Sequence, residues 1–171
     1  MVGLGKTIQL ALSAMLMALE GKKPILVIVP KTLIWQWQDE LLDLLDMPSA
    51  VWNGKCWVDE NKIEYPFKEE YALSNCPRRV GIISQGLIIH SIRKVNEQLL
   101  KLTYGCIIVD ESHRARRKNL SKGKENEAPQ PNNLMTFLLE VARKTKNHAA
   151  GNCYSSADKS YRSLGFALHP C

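Results

Sequence analysis

Three short aliphatic runs constrain the fold of this chain more than any other feature: Ile25-Leu26-Val27-Ile28-Val29, Val80-Gly81-Ile82-Ile83-Ser84 and Cys106-Ile107-Ile108-Val109. Each is continuously apolar rather than alternating, the pattern of a strand covered on both faces, and such strands belong to parallel sheets. Helical periodicity fills the spaces between them. Residues Thr7 to Glu20 carry Ile8, Leu10, Leu12, Met15, Leu16 and Leu19 on most faces, which predicts a helix largely buried against a sheet. Thr32 is placed to N-cap a helix running through Leu45, with Leu33, Trp37, Leu41, Leu44 and Leu45 on its apolar face and Gln36, Gln38, Asp39, Glu40 and Asp43 on its polar one. A further helix is expected over Leu87 to Leu102, and another resumes at Leu134 to Val141 and ends in basic residues. Strands alternating with helices give an α/β class with a parallel sheet, whose ligands bind beyond the carboxyl ends of the strands.

Two stretches break this rhythm. Residues 52–77 mix Trp52, Trp57, Tyr65, Phe67 and Tyr71 with Asn-Gly and Pro-Phe turn signals and read as an irregular or hairpin-bearing insertion. Residues 114–133 are rich in Lys, Arg, Asn and Glu and read as a polar loop. The chain has 171 residues, 45% of them hydrophobic, which suits one sizeable core. No apolar stretch is long enough to span a bilayer, and the N-terminus lacks the pattern of a secretory signal, so no membrane partner and a cytoplasmic location are expected. Five scattered cysteines, without zinc spacing, are expected as reduced thiols. A net charge of +6 suits a polyanionic partner, although a solvated basic face is the commoner meaning of such a charge.

The chemistry-bearing residues stand at the ends of these elements. Gly3-Leu4-Gly5-Lys6-Thr7 opens the first helix, and a Gly-Lys-Thr there offers backbone N–H groups to phosphate, a lysine to the terminal phosphates and a hydroxyl to a metal. Asp110-Glu111-Ser112-His113 follows the Cys106–Val109 run directly. A carboxylate pair at the end of a buried strand completes an ATP-Mg²⁺ site, with Asp110 holding Mg²⁺ and Glu111 polarising the attacking water. The four tryptophans read more readily as packing residues than as base-stacking ones.

The ordered set of motifs resembles the first RecA-like lobe of superfamily-two helicases, specifically the Snf-type (switch/sucrose-nonfermenting) DNA translocases, with a P-loop NTPase fold. Gly3 to Gln9 resembles motif I. Val29-Pro30-Lys31-Thr32-Leu33 and the following Trp35 to Leu41 resemble motif Ia and its helix, Ile82 to Ile88 resembles motif Ib, and Asp110-Glu111-Ser112-His113-Arg114 a DEAH-like motif II. The match covers most of Met1 to Asn147. It implies ATP and Mg²⁺ as cofactors, duplex DNA as a partner held through its backbone, and a second RecA-like lobe that closes over the nucleotide with an arginine finger. Carried over residue by residue, it implies that Gly3, Gly5, Lys6 and Thr7 contact phosphate, Thr7 and Asp110 the metal, and that Lys6 and Glu111 are catalytic. His113 is implied to couple nucleotide state to motif III, and Lys31, Thr32 and Ser84 to touch the DNA backbone.

Two departures from the family pattern shape the expected domain organisation. Met1 and Val2 stand where the family has the residues leading into motif I, so the strand feeding the phosphate loop is expected to be missing. After Lys146, His148 to Asp158 reads as neither strand nor motif III. Codons exist for His148 to Cys171 whose reading shifted by one base gives Met-Leu-Leu-Ala-Thr-Ala-Thr-Pro-Val-Gln, the motif III sequence the family would carry. The expected organisation is a partial ATP-binding lobe over 1–147 and an out-of-frame tail over 148–171. Two functions follow: an ATP-binding lobe inherited in motif and inactive as this chain, or a non-catalytic nucleic-acid-binding fragment or pseudogene product.

Overall fold

A computed structural model describes residues 9–13, 15–16, 19, 21–67, 72–90, 93–110, 117–118, 130–146 and 153–156. The strands are β1 (Ile25–Val29), β2 (Ser49–Trp52), β3 (Trp57–Asp59), β4 (Glu64–Tyr65), β5 (Val80–Ser84), β6 (Cys106–Val109), β7 (Arg117–Lys118), β8 (Gln130–Pro131) and β9 (Cys153–Ser156). The helices are α1, seen over residues 9–13, then α2 (Ile34–Leu45), α3 (Gln85–Ile89), α4 (Arg93–Leu100) and α5 (Asn133–Lys146).

Seven strands form one sheet in the order β4-β3-β2-β5-β1-β6-β9. The three aliphatic runs of the sequence lie side by side as its centre, β1 pairing in parallel with β5 (Val29 opposite Ser84) and with β6 (Ile28 opposite Val109). Because side chains alternate across a strand, each run feeds two layers at once. Ile25, Val27, Val29, Val80, Ile82, Cys106 and Ile108 pack with Leu10 and Ala11 of α1 and Ile34, Trp37 and Leu41 of α2. Leu26, Ile28, Ile83, Ile107 and Val109 pack on the other face with Ile88, Leu99, Leu134, Phe137, Leu138 and Val141 from α3, α4 and α5. The expected α/β fold with helices on both faces of a parallel core is therefore present.

Several expectations are corrected. The sheet is mixed: β2 pairs in parallel with β5, while β3 and β4 of the insertion add two antiparallel pairings, the hairpin that the turn signals there allowed. Thr32 does not cap α2; Lys31–Leu33 forms a 3-10 turn, and the helix begins at Ile34 with no side-chain cap. Gln38 belongs to the buried surface, because its Nε2 donates to Ser49 O (3.0 Å) and Val58 O (3.2 Å), tying α2 to two strands that need those carbonyls satisfied. The single helix expected over Leu87 to Leu102 is two, α3 and α4. The polar loop contains a short antiparallel pairing of β7 with β8. Leu12, Leu16 and Leu19 of the first helix are 41%, 59% and 74% exposed, so its outer face is uncovered rather than buried all round. The segment expected to hold neither strand nor motif forms β9, which pairs in parallel with β6 from Cys106 opposite Cys153 to Val109 opposite Ser156.

Both insertion tryptophans are core residues. Trp57 is 1% exposed and donates Nε1–H to Ala72 O at 2.8 Å, and its ring meets Trp52 edge-on with centroids 5.5 Å apart.

Candidate nucleotide and nucleic-acid site

Parallel pairing aligns strand ends, and here it brings three of the sequence motifs to one edge. β1 ends at Val29 and runs through Pro30 into Lys31 and Thr32, β5 ends at Ser84, and β6 ends at Val109 and delivers Asp110. Asp110 N donates to Ile28 O at 3.0 Å, so the ladder between β1 and β6 extends to the aspartate itself. The alternation that turns Cys106 and Ile108 toward the α2 layer carries on to Asp110. Its carboxylate there meets Trp37, whose Nε1–H donates to Oδ2 at 3.3 Å. From the opposite layer, Gln85 at the start of α3 donates Nε2–H to Asp110 O. Trp37 and Gln85 are 2% and 1% exposed.

The three residues expected to touch DNA occupy this same edge. Lys31 and Thr32 are exposed on the 3-10 turn. Ser84 is half-buried, and its Oγ accepts from Leu87 N at 3.2 Å as the N-cap of α3. Gly3, Gly5, Lys6, Thr7, Glu111 and His113 lie outside the described residues, so of the expected nucleotide and metal residues the structure positions Asp110 alone. Sequence reasoning took Trp37 as a packing residue and assigned Gln85 no role; the positions of both inside the motif Ia and Ib look-alikes are the signal that singles them out.

Charged clustering elsewhere is structural. Asp59, Glu60, Tyr65 and Arg78 meet at the opposite, amino-terminal edge of the central strands, where Arg78 Nη2 reaches Asp59 Oδ2 (2.8 Å) and Glu60 Oε1 (2.7 Å). Among the described residues no group of three or more His, Cys, Asp or Glu is arranged to hold a metal, so any metal held at the upper edge depends on Asp110 with groups beyond them. No described helix is long and apolar enough to cross a membrane.

Comparison with known proteins decides the family. The family model described as "Type III restriction enzyme, res subunit" matches residues 1–141. The chain belongs to that family. This helicase-family domain also shares 25% identity over 123 residues with chromodomain-helicase-DNA-binding protein 8 of Danio rerio, covering 69% of the present chain and 5% of the relative. Its fold matches that of the Sulfolobus solfataricus SWI2/SNF2 ATPase core, solved in complex with dsDNA, with a TM-score of 0.54 and 16% identity over 95% of this chain and 27% of that one. The chain thus spans a small part of each relative. Together with the motif order, these likenesses bear out the resemblance to the first RecA-like lobe of Snf-type superfamily-two helicases.

Proposed function

We propose that this helicase-family domain is the ATP-binding lobe of a Snf-type DNA-dependent ATPase, and that it binds Mg²⁺-ATP at the carboxyl edge of its central strands. The observation that carries this reading is the convergence of Pro30 to Thr32, Ser84-Gln85 and Asp110 on that one edge. A carboxylate at the tip of a buried parallel strand, held at its N–H, its C=O and its side chain, has the donor chemistry that Mg²⁺ takes from a nucleotide-binding protein: few carboxylates, rigidly placed. Asp110 and Thr7 would hold the ion, while Gly3, Gly5 and Lys6 would hold the phosphates. The bound ion supplies charge neutralisation across the phosphates.

The chain's own groups have distinct roles. Lys6 neutralises the terminal phosphates, Glu111 orients and polarises water, and His113 is the residue that in the family pattern couples nucleotide state to motif III. Lys31 and Thr32, exposed beside the site, and the Ser84 hydroxyl are suited to phosphate oxygens of a duplex, contacts that position a strand without reading its sequence. With this lobe alone, hydrolysis is negligible, because an arginine finger of the kind a second lobe supplies is worth about 10³ to 10⁵ in rate in comparable phosphoryl-transfer systems. A cytoplasmic setting and reduced thiols belong to the same proposal, as does an out-of-frame origin for residues 148–171, which reading the gene's nucleotides decides.

Duplex-DNA binding measured with and without Mg²⁺-ATP tests the function. The reading predicts that nucleotide changes DNA affinity and that Lys6→Ala removes the change. Salt-sensitive DNA binding indifferent to ATP in both proteins would replace it with the non-catalytic nucleic-acid module.

A further inference from the structure

We infer that Trp37 is a positioning residue for the Asp110 carboxylate, setting the direction from which that carboxylate meets the metal of a bound nucleotide. The inference rests on the nucleotide reading above and adds a residue to it.

Asp110 has two sets of freedoms, those of its backbone and those of its side chain, and different neighbours remove each. The backbone is fixed twice: its N–H donates to Ile28 O at 3.0 Å, and its C=O accepts from the buried Gln85 amide. What remains is rotation about the two side-chain torsions, which decides where the carboxylate oxygens point. The indole N–H of Trp37 reaches Oδ2 at 3.3 Å and restrains that rotation.

Trp37 is suited to this because it cannot itself move. Its ring is 2% exposed and packed with Ile34 and Leu41 of its own helix and with the β1, β5 and β6 side chains of that layer. An indole is a donor only, so it cannot turn and offer an acceptor. The residue 73 positions away in sequence is therefore tied to the helix that follows the exposed Lys31-Thr32 turn. Groups that orient a metal ligand in this way commonly change metal affinity by about 10- to 100-fold when removed.

The test uses the full chain with Mn²⁺ and ATP. Trp37→Phe keeps the ring in the core and deletes the donor N–H. Mn²⁺ affinity in the presence of ATP, read from the loss of the free-ion electron paramagnetic resonance signal, should fall by about tenfold, while metal-free ATP affinity stays unchanged. A loss of packing alone would lower both. The second measurement needs no variant: in the ¹H–¹⁵N spectrum of the wild-type chain, the Trp37 indole resonance should shift when Mg²⁺ is added to the ATP-bound protein, and those of Trp52 and Trp57 should not. Unchanged Mn²⁺ affinity in Trp37→Phe, or a Trp37 resonance that ignores Mg²⁺ while the wild type binds it, overturns the positioning role and leaves the nucleotide reading standing. A wild-type chain that binds neither metal nor ATP overturns both.

Discussion

Arg78 and Asp59 form an ion pair in which the carboxylate side chain is wholly buried and the guanidinium about a quarter exposed, with Nη2 2.8 Å from Oδ2. Burial works to raise the Asp59 pKa, but backbone N–H groups of Ile63 and Asn61, the Tyr65 hydroxyl and Arg78 together hold it below its ordinary value. Hydrogen bonds from Arg78 do the same for Glu60. Both groups are therefore more acidic folded than unfolded, and their contribution to stability is complete above the ordinary values of 3.8 and 4.5 and is lost as pH falls through the folded ones. Urea midpoints taken downward from pH 6 should hold steady and then drop below about 4.5. In Asp59→Asn the acid limb should be shallower; an equally steep one would remove Asp59 from the account.

Gln38 illustrates a polar residue that the fold needs inside. Its amide serves Ser49 O and Val58 O, and Lys62 Nζ lies 3.1 Å from its Oε1. Gln38→Leu keeps the volume and abandons two strand carbonyls. A loss of about 1–3 kcal/mol in urea unfolding is expected, whereas Gln36→Leu, on the exposed face, should change stability little.

Gly81 sits where β5 passes beneath the insertion. A Cβ there would lie 3.1 Å from Trp57 Cη2 and 3.3 Å from Cys76 Sγ, both in packed surroundings. Gly81→Ala should cost about 1–3 kcal/mol by overpacking. At Gly86 of α3 the nearest atom is 3.8 Å away, so Gly86→Ala should be neutral or stabilise by up to about 1 kcal/mol. Thermal melts of the two variants compare them directly, and equal losses would contradict the packing drawn at Trp57.

Much of the fold was open to reading because it is set by local pattern. The runs at Ile25, Val80 and Cys106 read as strands covered on both faces because they are short and rich in Ile and Val, and their parallel pairing follows from the helical stretches between them. Gln38 shares the stripe of Ile34, Trp37 and Leu41, so its spacing faces it inward; its polar side chain argues for the outer face, and the two strand carbonyls that it serves leave no mark in the local sequence. The break between α3 and α4 escaped for a similar reason: Ile88, Ile92, Val95 and Leu99 keep one apolar stripe across it. β9 escaped because Cys153 to Ser156 holds one strand-favouring residue, Tyr154, and no continuous apolar run; its place shows only in the parallel pairing with β6. Of the site, Asp110 and the ends of β1 and β5 were legible from motif spacing, while the bonds from Trp37 and Gln85 join residues 73 and 25 positions apart and have no local signature.

Cys76 provides a chemical test of the same packing. Burial pushes its thiol up to about 12, against minor opposing effects of the Arg78 backbone and charge. A short iodoacetamide pulse at pH 8 should leave the Cys76 peptide unmodified in the native chain and label it in urea, as read by mass spectrometry. Rapid labelling of the native protein would mean that the insertion does not close over β5.

The central claim is that Lys6 and Asp110 act on one Mg²⁺-ATP, and a double-mutant cycle measures it most directly. Calorimetric titration of the full chain with Mg²⁺-ATP should show each of Lys6→Ala and Asp110→Asn weakening binding, with the double variant losing less than the sum of the two because the groups share a ligand. Strictly additive losses, or wild-type affinity in either single variant, would contradict the shared site.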